Sequence, residues 1–159
     1  MDERPVFDTI SQRGIDVRRR LELEHYLFRW RTRLDLTPHY AGGGHSVLLL
    51  RTAELVPWER EMSKRGLVAA HHDRWPLEPI VDRVTQPATY SFISCNLREA
   101  SARTGLSPTT LRQAIADGYL TAHWAGEKGG RIVVRAQDLD EWVRSLPTES
   151  PRERGWASY

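Results

Sequence analysis

The stretch "SCNLREASARTGLSPTTLRQAIADGYL", residues 94–120, constrains the fold more than any other part of the chain. It carries two helix starts and two helix stops in close succession. Asn96 is a capping residue with Glu99 three positions on, the spacing of a reciprocal capping box. The helix opened there runs through "LREASART" and meets Gly105, a residue suited to the left-handed turn that ends helices. Ser107 then caps a second helix with Pro108 at its first position, where a missing N–H costs nothing. Gly118 closes that helix. About three residues including glycine separate the two helices, so they are predicted to pack against each other across a sharp turn.

On the second helix Leu111 and Ile115 fall on one face, with Ala114 small enough for close contact. Thr109, Thr110, Arg112, Gln113 and Ala116 fall on the rest of its surface. Hydroxyls, a guanidinium and an amide are the groups that hydrogen-bond phosphates and base edges. The free N–H groups and dipole at the helix start also favour a phosphate. "LTAHWAGEKGGRIVV" reads as two short strands around a Glu-Lys-Gly-Gly turn, with Lys128 at the tip and Arg131 opening the return strand. "AQDLDEWVRSL" is an amphipathic helix with Leu139, Trp142, Val143 and Leu146 inward. Its Asp138, Asp140 and Glu141 are assigned to an outer face turned away from phosphates.

The order helix, turn, helix, hairpin, helix resembles the small winged helix-turn-helix domain of excisionases, related to the MerR DNA-binding domain. The stretches that carry the resemblance are "EAS", "TGLSPTTLRQAI", "DGYLTA", "GGRIVV" and "DLDEWV", across about Ser94–Leu146. The resemblance implies that the Ser107–Ala116 helix reads the major groove of double-stranded DNA and that the hairpin touches the neighbouring backbone or minor groove. Carried over by position, Ser107, Thr109, Thr110, Arg112 and Gln113 form the recognition set, and Lys128 and Arg131 the wing set. The chain departs from the family at Trp124 and Val133, where basic residues are common, and its wing is lengthened by Glu127-Lys128. MerR regulators place this domain first and follow it with a long dimerisation helix; here it comes last.

Residues 1–88 read as a helical module for oligomerisation or partner binding. "GIDVRRRLELEHYLFRWRTRLD" (14–35) is predicted as one amphipathic helix, with Val17, Leu21, Leu23, Leu27, Phe28, Trp30 and Leu34 forming the apolar stripe. Its arginines, Arg18, Arg19, Arg20, Arg29, Arg31 and Arg33, are a solvated face or a phosphate contact. "AGGGHS" is a loop without the lysine of a phosphate-binding loop. "SVLLL" fits a buried strand or the start of a helix. "VPWEREMSKRG" is predicted as a helix with Pro57 in its first turn and Gly66 at its end, and "WPLEPIVDRVTQP" as a short helix closed by Pro87. The expected architecture is mainly α: this helical module, a boundary at "TQPATYSF", a winged helix-turn-helix over 92–147 with a two-stranded wing, and a flexible tail over 148–159. No internal repeat is evident.

Composition narrows the function classes. The 159 residues carry a formal charge of only +2, which neither demands nor excludes a nucleic-acid partner. Cys95 is the single cysteine; it rules out an internal disulfide, argues against a cysteine zinc site and reads as a core residue. His71-His72-Asp73 lacks a further ligand cluster and reads as a surface turn, and His123 as a phosphate contact or a packed or solvent-facing side chain. No arrangement of nucleophile and base, or of paired carboxylates, argues catalysis, so no enzyme, cofactor or metal is expected. The start "MDERPVFDTI" has no secretory pattern and no segment has the length of a membrane span, so a cytoplasmic, nucleoid-associated protein of a bacterial host is expected. The functional expectation is a sequence-specific DNA-binding protein of phage or mobile-element type. It would act as a transcription repressor or regulator, or as an excisionase-like factor that directs recombination. Its candidate partners are duplex DNA, further copies of itself and an integrase. The alternative is a protein-interaction adaptor that docks a protein through the winged fold.

Overall fold

The computed structural model describes residues 5–23, 35–42, 46–67, 88–127 and 129–150. Among these are strands β1 (Val6–Phe7) and β2 (Ser11–Arg13), helix α1 (Gly14–Arg20), strands β3 (His39–Ala41) and β4 (Val47–Arg51), and helix α2 (Thr52–Lys64). Then follow β5 (Thr89–Tyr90), β6 (Ser94–Asn96), α3 (Leu97–Thr104), α4 (Pro108–Ala116), β7 (His123–Ala125), β8 (Arg131–Arg135) and α5 (Ala136–Ser145). The chain is therefore mixed α/β rather than mainly α, and the part expected to be helical contains four strands. The sequence expectations for Arg29, Arg31 and Arg33, for His71-His72-Asp73, for the 75–87 helix, for Lys128 and for the tail from 151 lie outside the described residues.

The strands form three sheets: antiparallel β2-β4-β3, antiparallel β6-β8-β7, and a parallel pair of β1 with β5. "SVLLL" is the central strand of the first sheet. Leu48 and Leu50 belong to one core while Val47 and Leu49 pack into the other. A strand buried on both faces shows an unbroken apolar run, and periodicity cannot separate that from a buried helix. The first core packs Val17, Leu21, Leu23, Leu36, Leu50, Leu55, Trp58 and Met62 between α1, β4 and α2. The second gathers Cys95, Ala100, Leu106, Leu111, Leu120, Val134, Leu139 and Trp142, joined by Ile10, Ala41 and Leu49 from the first sheet. Burial pushes the Cys95 thiol up to about 11, as expected for a core cysteine.

Two helix boundaries differ from the sequence expectation. The 14–35 helix ends early, because α1 stops at Arg20 and Glu22 takes a positive φ of 53°. The Leu23 N–H donates to the Arg18 carbonyl and the Glu22 N–H to the Arg19 carbonyl, a Schellman stop built on glutamate instead of glycine. With no glycine in the sequence there, the stop was invisible. At the other boundary, α2 begins at Thr52, which leaves Pro57 inside the helix rather than in its first turn. Arg51 is its N-cap residue but makes no side-chain cap; the Thr52 N–H instead donates to the Ile10 carbonyl, 2.9 Å away. A cap supplied by a distant backbone leaves no local signature.

The two sheets are tied through backbone and charge. The Ile10 N–H donates to the Arg103 carbonyl (2.8 Å), the Ser11 hydroxyl to the Thr104 carbonyl (2.8 Å), and the Tyr40 N–H to the Pro147 carbonyl (2.8 Å). Asp140, expected on an outer face, is instead buried. Arg51 Nε and Nη2 donate to its two carboxylate oxygens at 3.0 and 3.1 Å. The side chains of Arg51 and Asp140 are only 4% and 12% exposed. The sequence put Asp140 on the outer face with Asp138 and Glu141, but it lies one turn before Val143 and is covered by Arg51 of the first sheet, a contact that the sequence does not announce.

Gly105 ends α3 with φ 78°, and its N–H donates to the Ser101 carbonyl at 2.9 Å. A Cβ there would also stand 2.9 Å from Arg13 Cγ. Gly105→Ala is expected to destabilise the fold by about 1–2 kcal/mol, the usual cost of a left-handed non-glycine residue. Glu22→Gly, at the corresponding stop of α1, is expected to be neutral to mildly stabilising. Chemical denaturation of both variants checks the contrast, and a Gly105→Ala loss no larger than that of a surface substitution contradicts it.

Candidate nucleic-acid interface

Side-chain caps start both α3 and α4, and Gly105 ends α3 at the turn between them. Asn96 Oδ1 accepts from the Glu99 N–H (2.9 Å) while Glu99 Oε2 accepts from the Asn96 N–H (3.0 Å), so the capping box is complete. Inside the turn the Ser101 hydroxyl donates to the Leu106 carbonyl, 2.5 Å away. Ser107 Oγ accepts from the Thr110 N–H at 3.2 Å, and its hydroxyl also bonds the Thr110 hydroxyl at 2.9 Å. With Leu111 and Ala114 buried and Ile115 packed against the core, α4 has one face fixed and one free.

The free face holds Thr109, Arg112, Gln113 and Ala116, all exposed. Gln113 Nε2 donates to Asp117 Oδ1 at 2.8 Å, which orients the amide along the helix. Ser107 is exposed and Thr110 half-buried, but their hydroxyls cap the helix start and bond each other. Of the residues singled out from the sequence on α4, Thr109, Arg112 and Gln113 thus stand on the free surface without a role in the caps. Arg131 is exposed at the start of β8, paired with Ala125 across the hairpin.

The hairpin sheet presents further side chains. Trp124 on β7 is 67% exposed, and Tyr119, between α4 and β7, is 74% exposed. The sequence reading noted Trp124 only as a departure from a basic position and did not select Tyr119. The signal for both is an aromatic flanking a turn, which the sequence alone cannot tell from a core residue. His123 Nε2 lies 3.5 Å from Asp138 Oδ2 on α5, an ion pair only when the imidazole is protonated. That carboxylate opposes a phosphate at His123. Arg98 on α3 and Arg135 at the end of β8 are also exposed. Among the described residues no cluster of His, Cys, Asp and Glu could hold a metal, and no helix is long and apolar enough to cross a membrane.

Residues 95–147 match the family model of a helix-turn-helix domain, of the excisionase-like kind, over the C-terminal third of the chain. Comparison with curated proteins and with solved structures returned no match.

Proposed function

We propose that this chain, whose C-terminal third is a helix-turn-helix domain, binds double-stranded DNA in a sequence-specific way. Helix α4 would lie in the major groove and the β7–β8 hairpin would act as a wing on the adjacent backbone. One observation carries the reading: α4 is capped and anchored by Leu111, yet leaves Thr109, Arg112 and Gln113 exposed on one face. A rigid helix with an exposed row of donors is what groove recognition requires, because base contacts demand fixed geometry. Arg131 supplies a cationic wing contact, and Lys128, which the sequence puts in the turn between the hairpin strands, is proposed to act with it. Ser107 and Thr110 serve the helix start and contribute through the N–H groups that they orient.

The excisionase-like match supports a reading of the biological role. The protein acts as a regulator of phage or mobile-element type, either a repressor at a promoter or a factor that directs an integrase toward excision. A footprint on the DNA around its own gene separates the two. Tandem sites beside an attachment site indicate excision control with an integrase partner and several copies of the chain; one site over a promoter indicates repression.

Arg112→Ala is expected to weaken specific binding by about 1–3 kcal/mol and to relax base preference, since a bidentate guanidinium contact carries both. Electrophoretic mobility shifts against a randomised duplex library measure both effects. Unchanged affinity and preference would remove α4 from the groove. Absence of any duplex binding by the wild-type chain at low salt would favour a protein-docking adaptor instead.

A further inference from the structure

The two antiparallel sheets are built on one plan. Ser11 pairs with Arg51, Gln12 with Leu50 and Arg13 with Leu49; Ser94 pairs with Arg135, Cys95 with Val134 and Asn96 with Val133. His39, Tyr40 and Ala41 pair with Leu49, Leu48 and Val47; His123, Trp124 and Ala125 pair with Val133, Ile132 and Arg131. The registers coincide residue for residue. The helix that leaves each central strand starts in the same manner: the Thr52 N–H donates to the Ile10 carbonyl, and the Ala136 N–H to the Ile93 carbonyl, both at 2.9 Å. Glu22 and Gly105 occupy matching positions, and both take positive φ to stop the first helix.

The side chains follow the backbone. At a constant spacing of 84 residues, His39, Ala41, Gly42, Arg51, Leu55, Trp58 and Arg60 recur as His123, Ala125, Gly126, Arg135, Leu139, Trp142 and Arg144. The core positions Val17, Leu23, Leu36, Leu50, Leu55, Trp58 and Met62 correspond to Ala100, Leu106, Leu120, Val134, Leu139, Trp142 and Leu146. The expectation of no internal repeat is thereby corrected. The repeat was hidden because its first part is spaced by 83 residues and its second by 84, and because the first copy has Glu22, Glu24 and His25 where the second has Gly105, Ser107 and Pro108.

We infer that the chain holds two copies of one structural plan, described over 10–23, 35–42 and 46–62 in the first copy and over 93–127 and 129–146 in the second, and that the first is a second duplex-DNA contact through Arg18 and Arg19 on α1. In the helix-turn-helix arrangement the first of the two helices crosses the DNA backbone. In the first copy that helix is α1, where Arg18 and Arg19 stand at the positions of Ser101 and Ala102 in α3. Arg19 is exposed and Arg18 half-exposed. Neighbouring Arg20 is committed to the protein, with Nη1 and Nη2 donating to Glu59. Residues 24–34, which hold the chain positions of the second helix, lie outside the described residues and form no part of this contact.

The two copies are not interchangeable. The outer face of the β2-β4-β3 sheet is spent on holding the second unit: Ala41 and Leu49 enter its core and Arg51 binds Asp140. The reverse contact cannot form, since Val56 stands where Asp140 would be needed. The same outer face of the second sheet stays open, with Ser94, Asn96, His123, Ala125, Arg131 and Arg135 exposed. The first unit therefore has no free sheet face with which to act as a wing, and its contribution is a set of phosphate contacts without base readout.

This inference rests on the DNA-binding reading of α4, and the test separates the two. The full-length chain and its Arg18→Ala/Arg19→Ala and Arg18→Lys/Arg19→Lys variants are titrated against a mixed-sequence duplex and against the footprinted site over a salt series. Loss of two phosphate contacts lowers the slope of log K against log salt by about two, because each contact contributes roughly 0.9. The alanine variant should bind both duplexes more weakly by a similar factor, on the order of tenfold, with base preference intact. The lysine variant should keep the wild-type slope. An unchanged slope in the alanine variant, with wild-type duplex binding present, overturns the second contact and leaves the α4 reading standing. A parallel loss in the lysine variant shows that the arginines act on the fold, and also overturns it. Wild-type chain that binds no duplex overturns both.

Discussion

Arg51→Ala is expected to lower the stability of the whole chain by about 3–5 kcal/mol, the cost of leaving one member of a buried ion pair without its partner. Arg51 donates two hydrogen bonds to Asp140, and its Nη1 lies 3.4 Å from Glu54 Oε1. Glu54 is half-exposed and recovers solvent when Arg51 is lost, whereas Asp140 does not. The Tyr90 hydroxyl shares this environment, and burial together with the Asp140 carboxylate holds its pKa well above the usual phenol value. It stays neutral and cannot replace the lost cation. The control is Arg51→Met/Asp140→Leu, which removes both charges and should cost much less than the single variant. Urea unfolding at neutral pH measures both. A single-variant loss near that of an exposed salt bridge, under about 1 kcal/mol, would show that the pair is hydrated. Because Arg51 belongs to the first sheet and Asp140 to the last helix, the wild-type chain should also unfold in one transition.

Trp58→Ala should cost about 3–5 kcal/mol as well, through a different cause. The indole is fully buried at the centre of the first core, among Leu50, Leu55 and Met62. Its Nε1–H donates to Asp35 Oδ2 at 2.7 Å. Truncation opens a cavity between α2 and β4 and also removes a hydrogen bond to a charged acceptor. Trp58→Phe separates these contributions: most of the ring volume stays, and the charge-assisted bond accounts for about 1.5–3 kcal/mol of the difference. Denaturation midpoints at constant m-value give both numbers. If Trp58→Phe matched the alanine variant, packing around the indole would be less important than the bond to Asp35.

The second unit was legible because its signals are local. Asn96 and Glu99, Gly105, Ser107 and Pro108 each act within a few residues, and each does in the structure what its type predicts. The first unit was not legible for the same reason. Its helix stop at Glu22 has no glycine, its α2 start is capped by the Ile10 carbonyl just before β2, and its central strand is buried on two sides. For the α2 start and the central strand the stabilising partner lies far away in sequence, whereas the Glu22 stop is local but uses a residue type that gives no signal. Within the candidate interface, the exposed row of Thr109, Arg112 and Gln113 was readable from helical periodicity. The use of Ser107 and Thr110 as caps and the exposure of Tyr119 and Trp124 were not.

By itself the sequence determined the helix-turn-helix and the hairpin, since caps, turns and apolar spacing act through backbone geometry over one or two helical turns. Only the tertiary structure decided that Asp140 is a buried partner of Arg51, that the first half is built of strands as well as helices, and that it repeats the second. Those outcomes depend on which surfaces meet. Burial and ion pairing between residues 89 positions apart, as in Arg51 and Asp140, leave no periodicity in the chain to announce them.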